Sequence, residues 1–105
     1  MDAKELELMD RIADFNEDAL TADGFHEAII GMAERPTLGP VVAYSVEKII
    51  EILMKDMEVD ESELEEDETI ESKKYGMAYE YFEYNIKGAW MGEFTPVFIT
   101  SLIEE

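Results

Sequence analysis

The sequence predicts an α+β fold: a small, mainly antiparallel three-stranded sheet covered by about three helices. Three observations lead there. Apolar residues recur at three- and four-residue steps in residues 3–20, 46–57 and 72–87, the period of a helix with one buried face. Three apolar or β-branched runs, at 25–33, 41–44 and 97–103, are set off by proline and glycine. The chain has 105 residues and is 47% hydrophobic, enough for one compact core, so residues 1–105 are expected to form a single domain.

Each element follows in order. In residues 3–20, Leu6, Met9, Ile12, Ala13 and Leu20 form an apolar stripe while Glu5, Glu7, Asp10, Asp14, Glu17 and Asp18 fill the other faces, an acidic amphipathic helix that Thr21-Ala22-Asp23-Gly24 breaks. Phe25 to Ala33 reads as a buried strand. Arg35-Pro36-Thr37-Leu38-Gly39-Pro40 must be a turn, because two prolines and a glycine in six residues sustain neither a ladder nor a helix. Val41 to Tyr44 returns as a second strand, closing a hairpin. Ser45 then caps the clearest helix, with Val46, Ile49, Ile50, Leu53, Met54 and Met57 on one face. From Asp56 to Glu71 there are ten acidic residues and no basic one, and only Leu64 and Ile70 at helix-compatible spacing, so 58–74 is read as an acidic insertion leading into a long helix. Within 72–87, Met77, Ala78, Tyr81, Phe82 and Ile86 make the stripe, Lys87 complements the last turn and Gly88 stops the helix. Val97 to Ile103 is the third strand.

Composition narrows function mainly by exclusion. Asp and Glu number 27 against 8 Lys and Arg, a formal charge of −19 in 12.0 kDa. Such a field repels phosphate backbones and anionic lipid and draws in basic surfaces with fast, salt-sensitive association, so the expected partner is a basic protein, with no direct nucleic acid and no membrane. Plain solubilisation competes with that reading. Salt adaptation fits poorly, because Glu outnumbers Asp and Ile and Met are frequent. Without cysteine there is no disulfide, thiolate metal site or thiol nucleophile, which fits a reducing cytoplasm. No apolar run approaches the roughly 18 to 20 residues of a membrane span, and the start of the chain lacks a signal-peptide pattern, so a cytoplasmic location is expected.

Little in the sequence points to catalysis. His26 is the single histidine, which removes most of the parts of an imidazole metal site or a Ser-His-Asp arrangement. Asp56, Glu58 and Asp60 alternate as in a calcium loop, but the sixth position holds Glu61 where the tight turn needs glycine and the twelfth holds Asp67 where a bidentate glutamate belongs. Carboxylate pairs are too numerous to discriminate. Gly88 to Gly92 follows a helix and does not lead into one, so it is no phosphate cradle. Neither metal nor cofactor is expected, and an enzyme ranks last.

Three stretches also carry a resemblance: Gly24-Phe25-His26-Glu27-Ala28-Ile29-Ile30-Gly31; Tyr44 to Met54, containing Lys48-Ile49-Ile50-Glu51-Ile52-Leu53; and Glu80-Tyr81-Phe82-Glu83-Tyr84-Asn85-Ile86-Lys87-Gly88-Ala89-Trp90-Met91-Gly92-Glu93 running on into Thr95-Pro96-Val97-Phe98-Ile99. In this order, over roughly residues 24–55 and 77–100, the chain resembles a family of small uncharacterised proteins of tailed bacteriophages and prophages. The resemblance implies a phage origin and the host cytoplasm as the place of action; it implies no activity. Against the family pattern, the acidic helix 3–20 looks like an addition and the acidic stretch 58–74 like an insertion.

The expectation that follows is an acidic, host-directed interaction protein. Carboxylates three or four residues apart on a helix lie about 5 to 6 Å from one another, close to the spacing of backbone phosphates along a strand. One helix edge with Asp10, Asp14 and Glu17 and another with Glu61, Glu65, Glu68 and Glu71, flanked by Asp60, Glu63, Glu66 and Asp67, would imitate a strip of nucleic acid and enter the basic groove of a host RNA polymerase, nuclease or CRISPR effector. The alternatives are a small-molecule or nucleotide sponge with an aromatic pocket around Tyr81, Tyr84 and Trp90, and a minor virion assembly component. Tyr81 and Phe82 fit the buried stripe, whereas Tyr79 and Tyr84 fall elsewhere on the wheel and are expected, with Trp90 and Phe94, to form either a contact surface or further packing.

Overall fold

A computed structural model describes residues 2–89 and 91–103 and shows the α+β fold: three α-helices and an open, mostly antiparallel three-stranded sheet. Helix α1 spans Ala3–Phe15, strand β1 Ile29–Ala33, strand β2 Val41–Ser45, helix α2 Val46–Lys55, helix α3 Ile70–Tyr81 and strand β3 Val97–Ile99. The strand order is β1-β2-β3, with β1 antiparallel to β2 and β2 parallel to β3. Central strand β2 is buried along its whole length. Its Val42 and Tyr44 join Ile12, Ala28, Val46, Ile49, Ile50, Ala78 and Phe82 in one hydrophobic core.

Helix α1 starts as expected, with the Asp2 carboxylate accepting the Glu5 N–H at 2.8 Å. It stops at Phe15, five residues short of the predicted end. Asn16 turns away: its amide donates to the Pro40 carbonyl (2.9 Å), its side-chain oxygen accepts from the Asp18 N–H (3.0 Å), and the Leu20 N–H then donates to the Phe94 carbonyl (3.2 Å). These tertiary hydrogen bonds replace the next helical turn. The buried face also differs: Ile12 is buried with Leu8 and Met9 beside it, while Leu6 and Ala13 face solvent.

Strand β1 is shorter than the predicted 25–33 because His26–Ala28 forms a 3₁₀ turn. The ladder runs from Ile29 opposite Tyr44 to Ala33 opposite Val41, with a register shift between Ile29 and Gly31. Ser45 ends β2 and at the same time caps α2, its hydroxyl accepting the Lys48 N–H at 3.2 Å. That junction also limits β3. Ile99 pairs with Ser45, and past Ser45 there is no strand left to pair, so 100–103 is not strand as predicted; Leu102 is 96% exposed and the Ser101 N–H is taken up by the Glu47 carboxylate at 3.2 Å.

The expected long helix is two structures. Helix α3 opens on a capping box between Thr69 and Ser72, and Phe82–Lys87 continues it as a π-helical turn. Phe82 lies one turn after Ala78 on the buried face, whereas Tyr81 and Met77, both predicted to lie inside and also one turn apart, are exposed. Gly88 does cap the helix, in a right-handed conformation, and a Cβ there would crowd the carbonyl oxygens of Glu83 and Tyr84 at 3.1 Å. Lys87 pairs with Glu83 at 3.3 Å.

Candidate functional site

The eleven acidic residues singled out by sequence lie in two regions, and the sequence placed one of them better than the other. Asp10 and Asp14 are one turn apart on the exposed face of α1, with Glu7 extending the row, a spacing that puts Cβ atoms about 5 to 6 Å apart. Glu17 lies beyond the helix end, in the turn after Asn16.

The second edge, Glu61, Glu65, Glu68 and Glu71, does not form. Glu61 and Glu63 belong to a one-turn 3₁₀ helix, Glu65, Glu66, Asp67 and Glu68 to an irregular turn, and Glu71 to the first turn of α3. The physical reason is local. Like charges at helical spacing repel, Leu64 and Ile70 are the only apolar residues between Glu61 and Glu71, and side chains compete with helix: Asp60 accepts the Ser62 N–H (3.0 Å), Glu68 accepts the Glu65 N–H (3.0 Å), and Asp67 takes a left-handed φ of 69°. The backbone and side-chain hydrogen bonds from Ser62 also hold the Asp60 carboxyl below its ordinary value, which keeps it ionised.

Ten of the eleven carboxylates singled out by sequence, Asp10, Asp14, Glu17, Asp60, Glu61, Glu63, Glu65, Glu66, Asp67 and Glu71, are exposed; Glu68 is half-buried. The ion pairs among the described residues are Lys87 with Glu83 and His26 with Glu5. None of the eleven therefore has a cationic side chain within 4.0 Å among these residues.

Among the described residues the aromatic candidates Tyr79, Tyr84 and Phe94 do not assemble into one surface. Phe94 is half-buried under the Arg35 guanidinium, 6.0 Å from its ring centre, and Arg35 also donates to the Gly39 and Glu93 carbonyls, so Phe94 helps hold the hairpin loop. Tyr84 is 77% exposed and Tyr79 lines a groove between α2 and α3. Trp90 lies outside the described residues. Tyr81 does line a cavity of about 240 Å³ with Phe25, Asn85, Met91 and Phe98, but Tyr84 does not. That volume is below the ~300 Å³ of a usual small-molecule site.

Two features were not legible from sequence. His26 meets Asp2 and Glu5, their ligand atoms all within 4.8 Å of one another, because the 3₁₀ turn before β1 packs at the start of α1. The α2–α3 groove unites Glu47, Glu51, Glu71, Tyr75 and Tyr79, and the acidic pair at 47 and 51 on one helix was its only sequence signal. No described helix is long and apolar enough to cross a membrane. No family model, curated protein or solved structure matches the chain.

Proposed function

We propose that this protein is a phage-encoded, host-directed interaction module that works without chemistry of its own, occupying a basic groove of a host nucleic-acid-binding protein in the host cytoplasm and blocking it. The observation that carries the reading is the lack of compensation: eleven carboxylates, ten of them exposed, with no cationic side chain beside any of them among the described residues. A surface that only aided solubility would mix signs, as α2 does with Glu47, Lys48, Glu51 and Lys55. Here α1 presents a phosphate-like row at Asp10 and Asp14, and residues 60–68 present an irregular anionic loop that can follow a groove more closely than a straight helix edge.

The test is capture from host lysate at two salt concentrations. At about 0.1 M salt the immobilised protein should retain a nucleic-acid-binding protein, which about 0.5 M salt or excess duplex DNA releases, since most exposed charge pairs are screened at the higher concentration. A variant carrying Asp10→Asn, Asp14→Asn, Glu61→Gln, Glu63→Gln, Glu65→Gln and Glu66→Gln should retain at least about ten-fold less of that protein. Retention unchanged in high salt, or undiminished capture by the neutralised variant, refutes the proposal.

A further inference from the structure

We propose that the groove between α2 and α3 binds a basic, amphipathic peptide segment of a protein partner, with Glu47, Glu51 and Glu71 holding its cationic side chains and Tyr75 and Tyr79 receiving its apolar or planar face. The inference rests on the reading of this protein as a binder of basic proteins, and it assigns a second contact, separate from α1 and the 60–68 loop.

The groove is open, about 660 Å³, and combines three kinds of surface. Val46 and Ile50 of α2, both nearly buried, form an apolar floor with Met54, a flexible side chain suited to an irregular partner. Tyr75, 52% exposed, and Tyr79 supply aromatic faces, their rings 6.0 Å apart and tilted by 36°. They are held from below: Tyr79 meets buried Phe82 edge-on at 6.1 Å, Phe82 meets Phe98 at 5.3 Å, and Phe98 stacks on Tyr44 at 5.9 Å. A contact made at the surface therefore lands on a rigid ladder that reaches the core.

The rim decides the occupant. Glu47 and Glu51 line it from α2 and Glu71 from α3, so nucleic acid and anionic ligands are repelled. A second copy of this chain would bring its own charge of −19 to the same place. A guanidinium, by contrast, finds both a carboxylate and a tyrosine face. An adjoining hollow, lined by Glu51, Met54, Ile70, Glu71, Lys55 and Lys74, continues the groove past the C-terminal end of α2, which lies beside the N-terminal end of α3. The two lysines make that end the less negative, so the peptide binds in one direction, with its densest positive charge towards Glu47.

The probe is a fluorescein-labelled amphipathic peptide of about 14 residues with arginine on one face and leucine at helical spacing on the other, followed by fluorescence polarisation. Two triple variants remove the same charge: Glu47→Gln, Glu51→Gln and Glu71→Gln in the groove, and Glu61→Gln, Glu65→Gln and Glu66→Gln in the loop. The groove triple should raise Kd by about ten-fold or more and the loop triple by less than about three-fold. Tyr75→Ser, an exposed position, should also weaken binding about ten-fold with an unchanged circular dichroism spectrum. Equal weakening by the two triples, or no binding of the peptide by the native protein at about 100 μM, overturns the groove as a peptide site. Neither result touches the capture experiment, which reads α1 and the loop, so the two proposals fail separately.

Discussion

Replacing Phe82 with alanine should cost about 3–5 kcal/mol, the largest stability loss of any single substitution considered. Phe82 is 1% exposed, one of the largest fully buried side chains, and its ring contacts Tyr79 above and Phe98 below. Its removal cuts the aromatic path that joins α3 to the sheet among the described residues and leaves a void in the core. A domain of this length typically has about 5–15 kcal/mol in all, so the variant should melt roughly 15–25 °C lower. Thermal unfolding followed by circular dichroism measures this directly, and a loss under about 1 kcal/mol would show that the ladder does not organise the core. Tyr81→Ala, the neighbour predicted from sequence to be buried and found exposed, is the matched control and should be nearly neutral.

Tyr44→Phe should cost about 1–3 kcal/mol through a single atom. The Tyr44 hydroxyl accepts the Ala22 N–H at 2.7 Å, tying the segment after α1 to the central strand. Phenylalanine keeps the ring and its stack on Phe98 but leaves that N–H without a partner. The pH dependence identifies the cause. Burial raises the Tyr44 phenol above its ordinary value of 10.0, an effect larger than the opposing hydrogen bond from Ala22, with Asp23 adding to the rise. A group whose pKa is higher folded than unfolded contributes its full stability below the unfolded value and loses it as pH climbs from there through the folded value. The advantage of the native protein over Tyr44→Phe should therefore be constant up to about pH 10 and shrink above it. Denaturant midpoints for both proteins between pH 7 and 11 test this; a gap that stays constant to pH 11 would place the hydroxyl in solvent.

These two residues also show how far the sequence could be read. The start and buried face of α2 are legible because cap and apolar period agree there: Ser45 caps, and Val46, Ile49 and Ile50 are buried, although the helix stops at Lys55, short of Met57. Elsewhere the deciding interactions join residues far apart in sequence. Nothing near Asn16 announces that its amide will seek Pro40, so the end of α1 at Phe15 is not visible in the sequence. Nothing in Val97 to Ile103 says that β2 gives way to a helix at Ser45 and leaves the last four residues unpaired. Tyr81 and Phe82 both fall on the predicted stripe, but the buried face follows Ala78 and Phe82 and leaves Met77 and Tyr81 outside, a rotation that the aromatic sequence of α3 does not fix. The candidate site divides the same way. Which residues are acidic is plain from the sequence, but whether Glu61 to Glu71 forms one edge depended on local hydrogen bonds, and the groove joins side chains from two helices with the acidic segment between them.

The junction at Ser45, where central strand and helix meet without a linker, has a consequence for the order of assembly. Residues 29–55 bring hairpin and α2 together through near neighbours. By contrast, Val97 must find Ala43 across more than half of the chain. Closing that span costs ~2 kcal/mol more entropy than closing the hairpin, so β3 should dock last on refolding and peel away first when the native state fluctuates. Amide exchange should then be fastest in the sheet at Val97–Ile99 and slowest along Val41–Ser45.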